Sequence, residues 1–458
     1  MADVGIAHRP GRARTWRAGA VVATAAILLS ACGHSDPPAA TATTTPSSNT
    51  SKTSTTDTAN GDFGSLKGIC GRGTPKPSSE RGLKDDKIQV GVLNDATSTL
   101  APGLGAGYID VAKAFTDWCN AAGGINGRKI TFVGRDAQIT QAAARITDAC
   151  QSDFMLVGGA TPFDATTVDP RESCKLGAIP SYAASTDAIE SKLQALPTRV
   201  PAKEANIGLM RRLDAKYGKS FQKIGVLAVD TPSLLQPTEA AMAAMKNAGY
   251  GVVSYQKLAL TTDNWRTVVQ PLVGKVKAVS VAPGDPTGFF RAMSDVGYEP
   301  DLMFNVTGNA YSQQLVDSLK AAKLKTPFYV GTTLFPLELE DQNPAVKQAH
   351  DLTAKVGSKL PWDAGAIPAW ESWVLFAQSA TTCGDDLTVD CVIKNATTQK
   401  DFTAGGLMAP VDLTDPDAIS PCMVVLSADG DGFHYERALT TPTDGVFNCD
   451  ADNVEKAG

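Results

Sequence analysis

From Lys87 onward the chain repeats one grammar, in which a short apolar run alternates with an amphipathic helical stretch. Ile88–Leu93 reads as a strand, Tyr108–Ala122 as a helix, Lys129–Val133 as a strand, Thr140–Cys150 as a helix and Phe154–Val157 as a strand. A helix around Asp164–Cys174 and a strand at Ala178–Tyr182 follow. Runs with so little polar alternation are strands covered on both faces, which implies a parallel sheet between helices. Right-handed crossovers make that a doubly wound lobe. The grammar restarts after Pro201, with helices expected at Lys203–Tyr217, Pro237–Ala248, Trp265–Leu272, Thr287–Val296 and Tyr311–Ala321. Strands are expected between and after them at Lys223–Val229, Val252–Tyr255, Ala278–Ala282, Leu302–Val306 and Pro327–Val330. The fold class is therefore α/β, with two doubly wound parallel-sheet lobes. Helices at Ala345–Ser358 and Pro368–Thr382, and a hairpin of Met423–Leu426 with Phe433–Arg437, must return to the lobes already built. Ligands of open wound sheets sit beyond the carboxyl ends of the strands, so two facing lobes form a clamp for a small molecule.

The residues before Lys87 are of another kind. Arg9, Arg12, Arg14 and Arg17 precede an apolar stretch, Ala18–Leu29. That stretch is shorter than the roughly 20 residues a membrane-spanning helix needs, which makes it a secretory leader. It ends in Leu29-Ser-Ala-Cys32-Gly33, which resembles the bacterial lipobox. The resemblance implies cleavage after residue 31 and lipidation of Cys32, which would anchor the chain outside the cell membrane. Residues 32–60 form a Ser/Thr-rich tether with almost nothing to bury, and 61–86 an N-terminal extension. Lobe 1 is expected to comprise 87–200 plus 334–410 and lobe 2 201–333 plus 411–446, with 447–458 a C-terminal tail.

The formal charge is −6, and −9 without residues 1–31, with no Lys/Arg cluster. Such a surface argues against nucleic-acid partners. Apart from Cys32 there are eight cysteines, an even number that reads as disulfides in an exported chain and allows many connectivities. Zinc does not suit them, because no CxxC pair exists and the histidines are few and scattered. Cys383 and Cys391 flank a Gly-Asp-Asp turn and are paired first, then Cys422 with Cys449. Two helix ends suggest Cys150 with Cys174, leaving Cys70 with Cys119. Catalytic signatures are missing: there is no Gly-x-Ser-x-Gly elbow, His-Glu-x-x-His or phosphate loop. Gly103-Leu-Gly-Ala-Gly107 has the wrong spacing for a dinucleotide fingerprint and reads as a cleft loop. Asp429-Gly-Asp-Gly432 reads as a hairpin turn rather than a calcium loop. A secreted enzyme is thus the weaker alternative, and no cofactor or metal is expected.

Gly123-Gly-Ile-Asn-Gly-Arg-Lys129, following a helix with Ala112, Phe115 and Asn120, resembles the type I periplasmic binding proteins of the leucine/isoleucine/valine branch. Pro180-Ser-Tyr-Ala-Ala-Ser185, Ala369-Trp-Glu-Ser-Trp373 and the Cys383…Cys391 loop add to the likeness, which covers about Lys87–Tyr435. The resemblance implies a Venus-flytrap fold with three crossovers, placed near Thr198–Ala202, Gly331–Phe335 and Ala409–Leu413. It also implies a monomeric solute receptor that serves ABC permease subunits; a sensor of the same fold signalling to a partner protein is the alternative. By position, ligand contacts fall on Thr161 and Phe163, on Ala183, Ser185 and Thr186, and on Asn305 and Thr307. The same serine and threonines would also suit helix caps. Where relatives place an acid for the ligand ammonium, Asn305-Val-Thr-Gly-Asn309 has none; Asp230 or Asp285 could substitute. The second-lobe aromatic position falls near Ser233-Leu234-Leu235. The expected solute is a small polar molecule, amino-acid-like, amide or carboxylate, without an obligatory α-amino group.

Overall fold

The computed structural model describes residues 60–259, 261–281 and 286–458. The leader, the tether up to residue 59, Cys32 and Asp285 lie outside the described residues.

The first lobe alternates β1 (Lys87–Asn94), α1 (Ala106–Ala122), β2 (Lys129–Asp136), α2 (Ala142–Ser152), β3 (Met155–Val157), α3 (Ala165–Ser173), β4 (Gly177–Ile179) and the short α4 (Thr186–Ile189). Its four strands are parallel in the order β2-β1-β3-β4. Central β1 buries Ile88, Val90 and Val92 completely, as the unbroken apolar run requires. The turn into β2 explains its glycines. A Cβ on Gly124, at φ +86°, would sit 2.0 Å from the Arg128 carbonyl oxygen. Arg128 is itself buried, and its guanidinium donates to the carbonyls of Lys84 and Lys76. This turn therefore fastens the extension to the lobe.

The second lobe contains β5 (Glu204–Asn206), α5 (Gly208–Tyr217), β6 (Ile224–Val229), α6 (Pro232–Asn247), β7 (Val252–Leu258), α7 (Trp265–Val269) and β8 (Ala278–Ser280). It continues with α8 (Thr287–Val296), β9 (Leu302–Asn305), α9 (Gln313–Ala322) and β10 (Phe328–Thr332). The chain then forms α10 (Pro344–Lys355), α11 (Ile367–Cys383) and α12 (Val389–Thr397), which pack on α1, β3 and β4 of the first lobe. It returns as β11 (Val424–Ala428), β12 (Phe433–Tyr435), α13 (Arg437–Thr440) and β13 (Val454–Lys456). The large sheet runs β12-β11-β10-β9-β8-β6-β7. It is parallel through β10 and antiparallel beyond, so the hairpin extends a wound sheet into a mixed one.

Three details depart from the sequence reading. The stretch expected as helix from Lys203 opens with β5, because β13 pairs with it antiparallel and Asn206 donates to the carbonyl of Ser420. The expected C-terminal tail is thus partly a strand. Helix α6 begins at Pro232, with Pro237 inside it. Proline at the first position starts a helix well, whereas Pro237 has no N–H to return to the Ser233 carbonyl. Helix α12 was not expected, although Thr388 caps it by accepting from the Cys391 N–H.

The eight described cysteines form four disulfides: Cys70–Cys119, Cys150–Cys174, Cys383–Cys391 and Cys422–Cys449. The first ties the extension to α1. Phe63 of the extension is fully buried and stacks on Trp370 at 5.5 Å. The chain crosses between lobes before β5, after β10 and after α12. The second and third crossings are hydrogen-bonded to each other, from the Phe335 N–H to the Leu407 carbonyl (2.9 Å) and from the Ala409 N–H to the Thr333 carbonyl (2.8 Å).

Candidate functional site

Between the lobes lies a cavity of about 1070 Å³, lined from both sides and by the crossover Thr198–Pro201. Leu104, Ile139 and Phe163 of the first lobe face Val229, Leu258 and Phe289 of the second across it. These are residues at or beyond the carboxyl ends of strands, as the winding dictates. The volume is at the upper end of the roughly 300–1,000 Å³ usual for drug-sized sites.

Of the ligand contacts expected from the sequence, Phe163 and Thr307 line this cavity, as do Gly103 and Leu104 of the expected cleft loop and Ser233 and Leu234 at the expected aromatic position. Asn305 stands behind it, buried, donating to Asn309 Oδ1 at 2.9 Å and to the Val281 carbonyl at 3.3 Å. Thr307 Oγ1 donates in turn to Asn305 Oδ1. The loop is a self-bonded amide and hydroxyl cluster with Thr307 and Asn309 in the wall. Asp230 is exposed and outside the wall.

The loop of Ala183, Ser185 and Thr186 is occupied by internal work. Asp164 projects from the start of α3, and its Oδ2 accepts from the backbone N–H groups of Ala184 (2.6 Å) and Ser185 (3.1 Å). Those two amides, which a ligand carboxylate would use, already hold a carboxylate. Ser185 Oγ accepts from the Ala188 N–H at 3.3 Å and so caps α4. Ala183 is buried outside the wall. Thr161 is 1% exposed, also outside the wall, and its hydroxyl has no hydrogen-bond partner. Burial pushes the neighbouring Asp95 carboxyl up, and the bond it accepts from the Ile139 N–H opposes the shift. Thr186 is exposed and accepts from Gln236 Nε2 of α6 at 2.9 Å, a hydrogen bond between the lobes.

Arg199, Asp263 and Asp363 bring charge to the wall. The Arg199 guanidinium donates to the carbonyls of Pro416 (2.9 Å) and Asp412 (3.1 Å). Burial lowers its pKa, and nearby Asp415, Asp412 and Asp417 oppose that. Asp363 is pushed up by burial while accepting from the N–H groups of Gln313 and Gly365. Behind Thr198, Glu371 is fully buried and accepts from its hydroxyl at 2.6 Å; burial raises the Glu371 carboxyl to about 7.

No expectation fell on Thr231 or on a polar role for Ser233, yet both line the cavity at the start of α6. They are 6% and 2% exposed, and neither hydroxyl has a hydrogen-bond partner. The available signal was Thr231-Pro232, a capping residue before proline at the first helical position.

A search of curated protein sequences finds no significant match. Solved structures give the fold. A fatty acid ABC transporter substrate-binding protein from Thermomonospora curvata is 19% identical, with a TM-score of 0.66 over 82% of this chain and 96% of that one. The branched-chain amino acid binding protein of Streptococcus pneumoniae, in complex with isoleucine, is 15% identical, with a TM-score of 0.62 over 77% and 99%. A solute-binding protein from R. palustris, in complex with 4-hydroxybenzoate, is 16% identical, with a TM-score of 0.61 over 77% and 96%. The sequence profile of the periplasmic binding proteins matches residues 87–432, the span that builds both lobes and the cavity between them, and the chain belongs to that family.

Proposed function

We propose that this chain is an extracytoplasmic solute receptor, anchored by lipid on Cys32, that presents an amphipathic acid to an ABC importer. The solute has a sizeable apolar body and a carboxylate or amide head. The cavity carries this reading, because about 1070 Å³ walled by apolar side chains of both lobes is more room than an amino acid fills. Leu100, lining the cavity while 52% exposed, extends the apolar surface toward solvent. The structural neighbours named for fatty acids and 4-hydroxybenzoate are consistent with such a body. The Asn305 loop contains no acid for an ammonium, which supports a solute without an obligatory α-amino group.

Calorimetry with straight-chain fatty acids of increasing length tests the proposal, with isoleucine and its deaminated acid as the contrast. Affinity should tighten by about 0.8 kcal/mol per buried methylene until the cavity is filled, and reach about −8 kcal/mol. Tight isoleucine binding with no response to any fatty acid or to the deaminated acid would overturn it. The anchor has its own test: Cys32→Ala should release the chain from the membrane fraction or block its processing.

A further inference from the structure

We propose that the acidic head of the solute docks on the second lobe, at the N-terminus of α6, on the hydroxyls of Thr231 and Ser233. This assignment rests on the reading of the cavity as the solute site and adds the direction in which the solute lies.

Buried hydroxyls without partners are costly, at roughly 1–3 kcal/mol each, and a pair of them in a ligand cavity calls for an explanation. Thr231 Oγ1 and Ser233 Oγ are the hydroxyls of the cavity wall that are both buried and unpartnered among the described residues. They open a helix of 16 residues. First-turn N–H groups have no intrahelical acceptor and carry the positive end of the helix dipole, so an anion placed there gains from both. Pro232 contributes no N–H, which leaves the Ser233 amide as the first donor of the helix, beside the two hydroxyls. A carboxylate is the group that suits these donors, since it accepts through both oxygens.

Competing positions are largely engaged. On the first lobe, Asp164 holds the amides of Ala184 and Ser185. Arg199 donates two bonds to carbonyls and sits among three aspartates, so its charge is largely answered, and its buried, unpartnered Nε is the rival donor that the test below distinguishes. Asp230 next to Thr231, and Asp263 in the wall, are exposed, where water screens their repulsion of an anion.

The test uses the full chain and the variant Thr231→Val/Ser233→Ala, with dodecanoate, methyl dodecanoate and acetate as probes. Wild type should bind dodecanoate at least ten-fold tighter than the ester, and the variant should bind both alike. With serine amides labelled by nitrogen-15, acetate and dodecanoate should each move the Ser233 signal. Acetate moving Ser233 while dodecanoate fails to bind would uphold the head site and overturn the apolar-body reading. Dodecanoate binding with the acid preference intact in the variant would place the head on another group, such as Arg199, and overturn the assignment alone. No binding of dodecanoate and no Ser233 shift with acetate would overturn both.

Discussion

The two lobes share a winding but differ in what they bury: Asp95, Arg128, Asp153, Asp164, Arg171 and Glu371 all lie in the first, whereas the second buries serines, threonines and asparagines. A buried charge persists only with partners, and the first lobe supplies them from its own chain. Asp153 accepts from Arg135 and Gln89, Arg171 donates to the Leu193 carbonyl, and Asp164 takes two amides. The first lobe also holds buried hydroxyls without partners, on Thr161 and Ser181, but they lie outside the cavity wall. The second lobe leaves its open hydroxyls in the wall itself, at a helix start. The difference suggests a division of labour, in which the first lobe is a preformed backing and the second reads the polar group.

The largest effect should come from Glu371, the acid behind the crossover. Its folded pKa, about 7 against an ordinary 4.5, means the native state keeps a proton that the unfolded chain has released. This contribution is therefore present at low pH and is lost as pH rises from about 4.5 to about 7, a swing of about 3 kcal/mol. Glu371→Gln should remove that slope, so that urea unfolding at pH 5 and pH 8 converges relative to wild type. An unchanged difference would mean that the charge in the first lobe is better compensated than the lone Thr198 bond implies.

Asp164 comes next. Asp164→Ala strips the carboxylate from two buried amides and should cost about 2 kcal/mol. It would also give the first lobe the vacancy it now lacks, so acetate should raise the melting temperature of the variant more than that of wild type, which offers the α6 site alone. Equal stabilisation of both would mean that removing Asp164 opens no anion site, and the contrast between the lobes fails. A smaller effect is expected for the open hydroxyls. Thr231→Val and Ser233→Ala break no bond within the protein and each removes an unpartnered buried hydroxyl, so chemical denaturation should show each more stable than wild type by about 1 kcal/mol or more. A loss above 1 kcal/mol would make them structural.

Local chemistry explains what was readable from the residues. The apolar runs of β1 and β6 announced parallel strands, and the glycines at 123, 124 and 127 announced a tight turn, because each depends on neighbours in sequence. The occupancy of the site was not readable in that way. Asp164 meets amides 20 residues on, and β13 pairs with a segment some 250 residues earlier. Capping by Ser185 was open from its residue type, whereas nothing adjacent to it shows that its N–H is used by an aspartate. Likewise, the Phe63–Trp370 stack exists only once the extension wraps the first lobe.

The smallest effect concerns the hydrogen bond that joins the lobes outside the cavity. Thr186 was expected from its position in the sequence to contact solute; in the structure its hydroxyl accepts from Gln236, and the residue is exposed. An exposed neutral hydrogen bond contributes only about 0.5–1.5 kcal/mol, and it counts here only while the lobes are closed. Thr186→Ala and Gln236→Ala should each weaken solute binding by no more than about ten-fold. Because each removes the same bond, the double variant should be no weaker than either single one, and a double-mutant cycle measures that. Additive losses, with Thr186→Ala the larger, would give Thr186 a contact of its own with the solute. The first lobe would then retain an open donor at its cleft edge, and its separation from the second lobe would be one of degree.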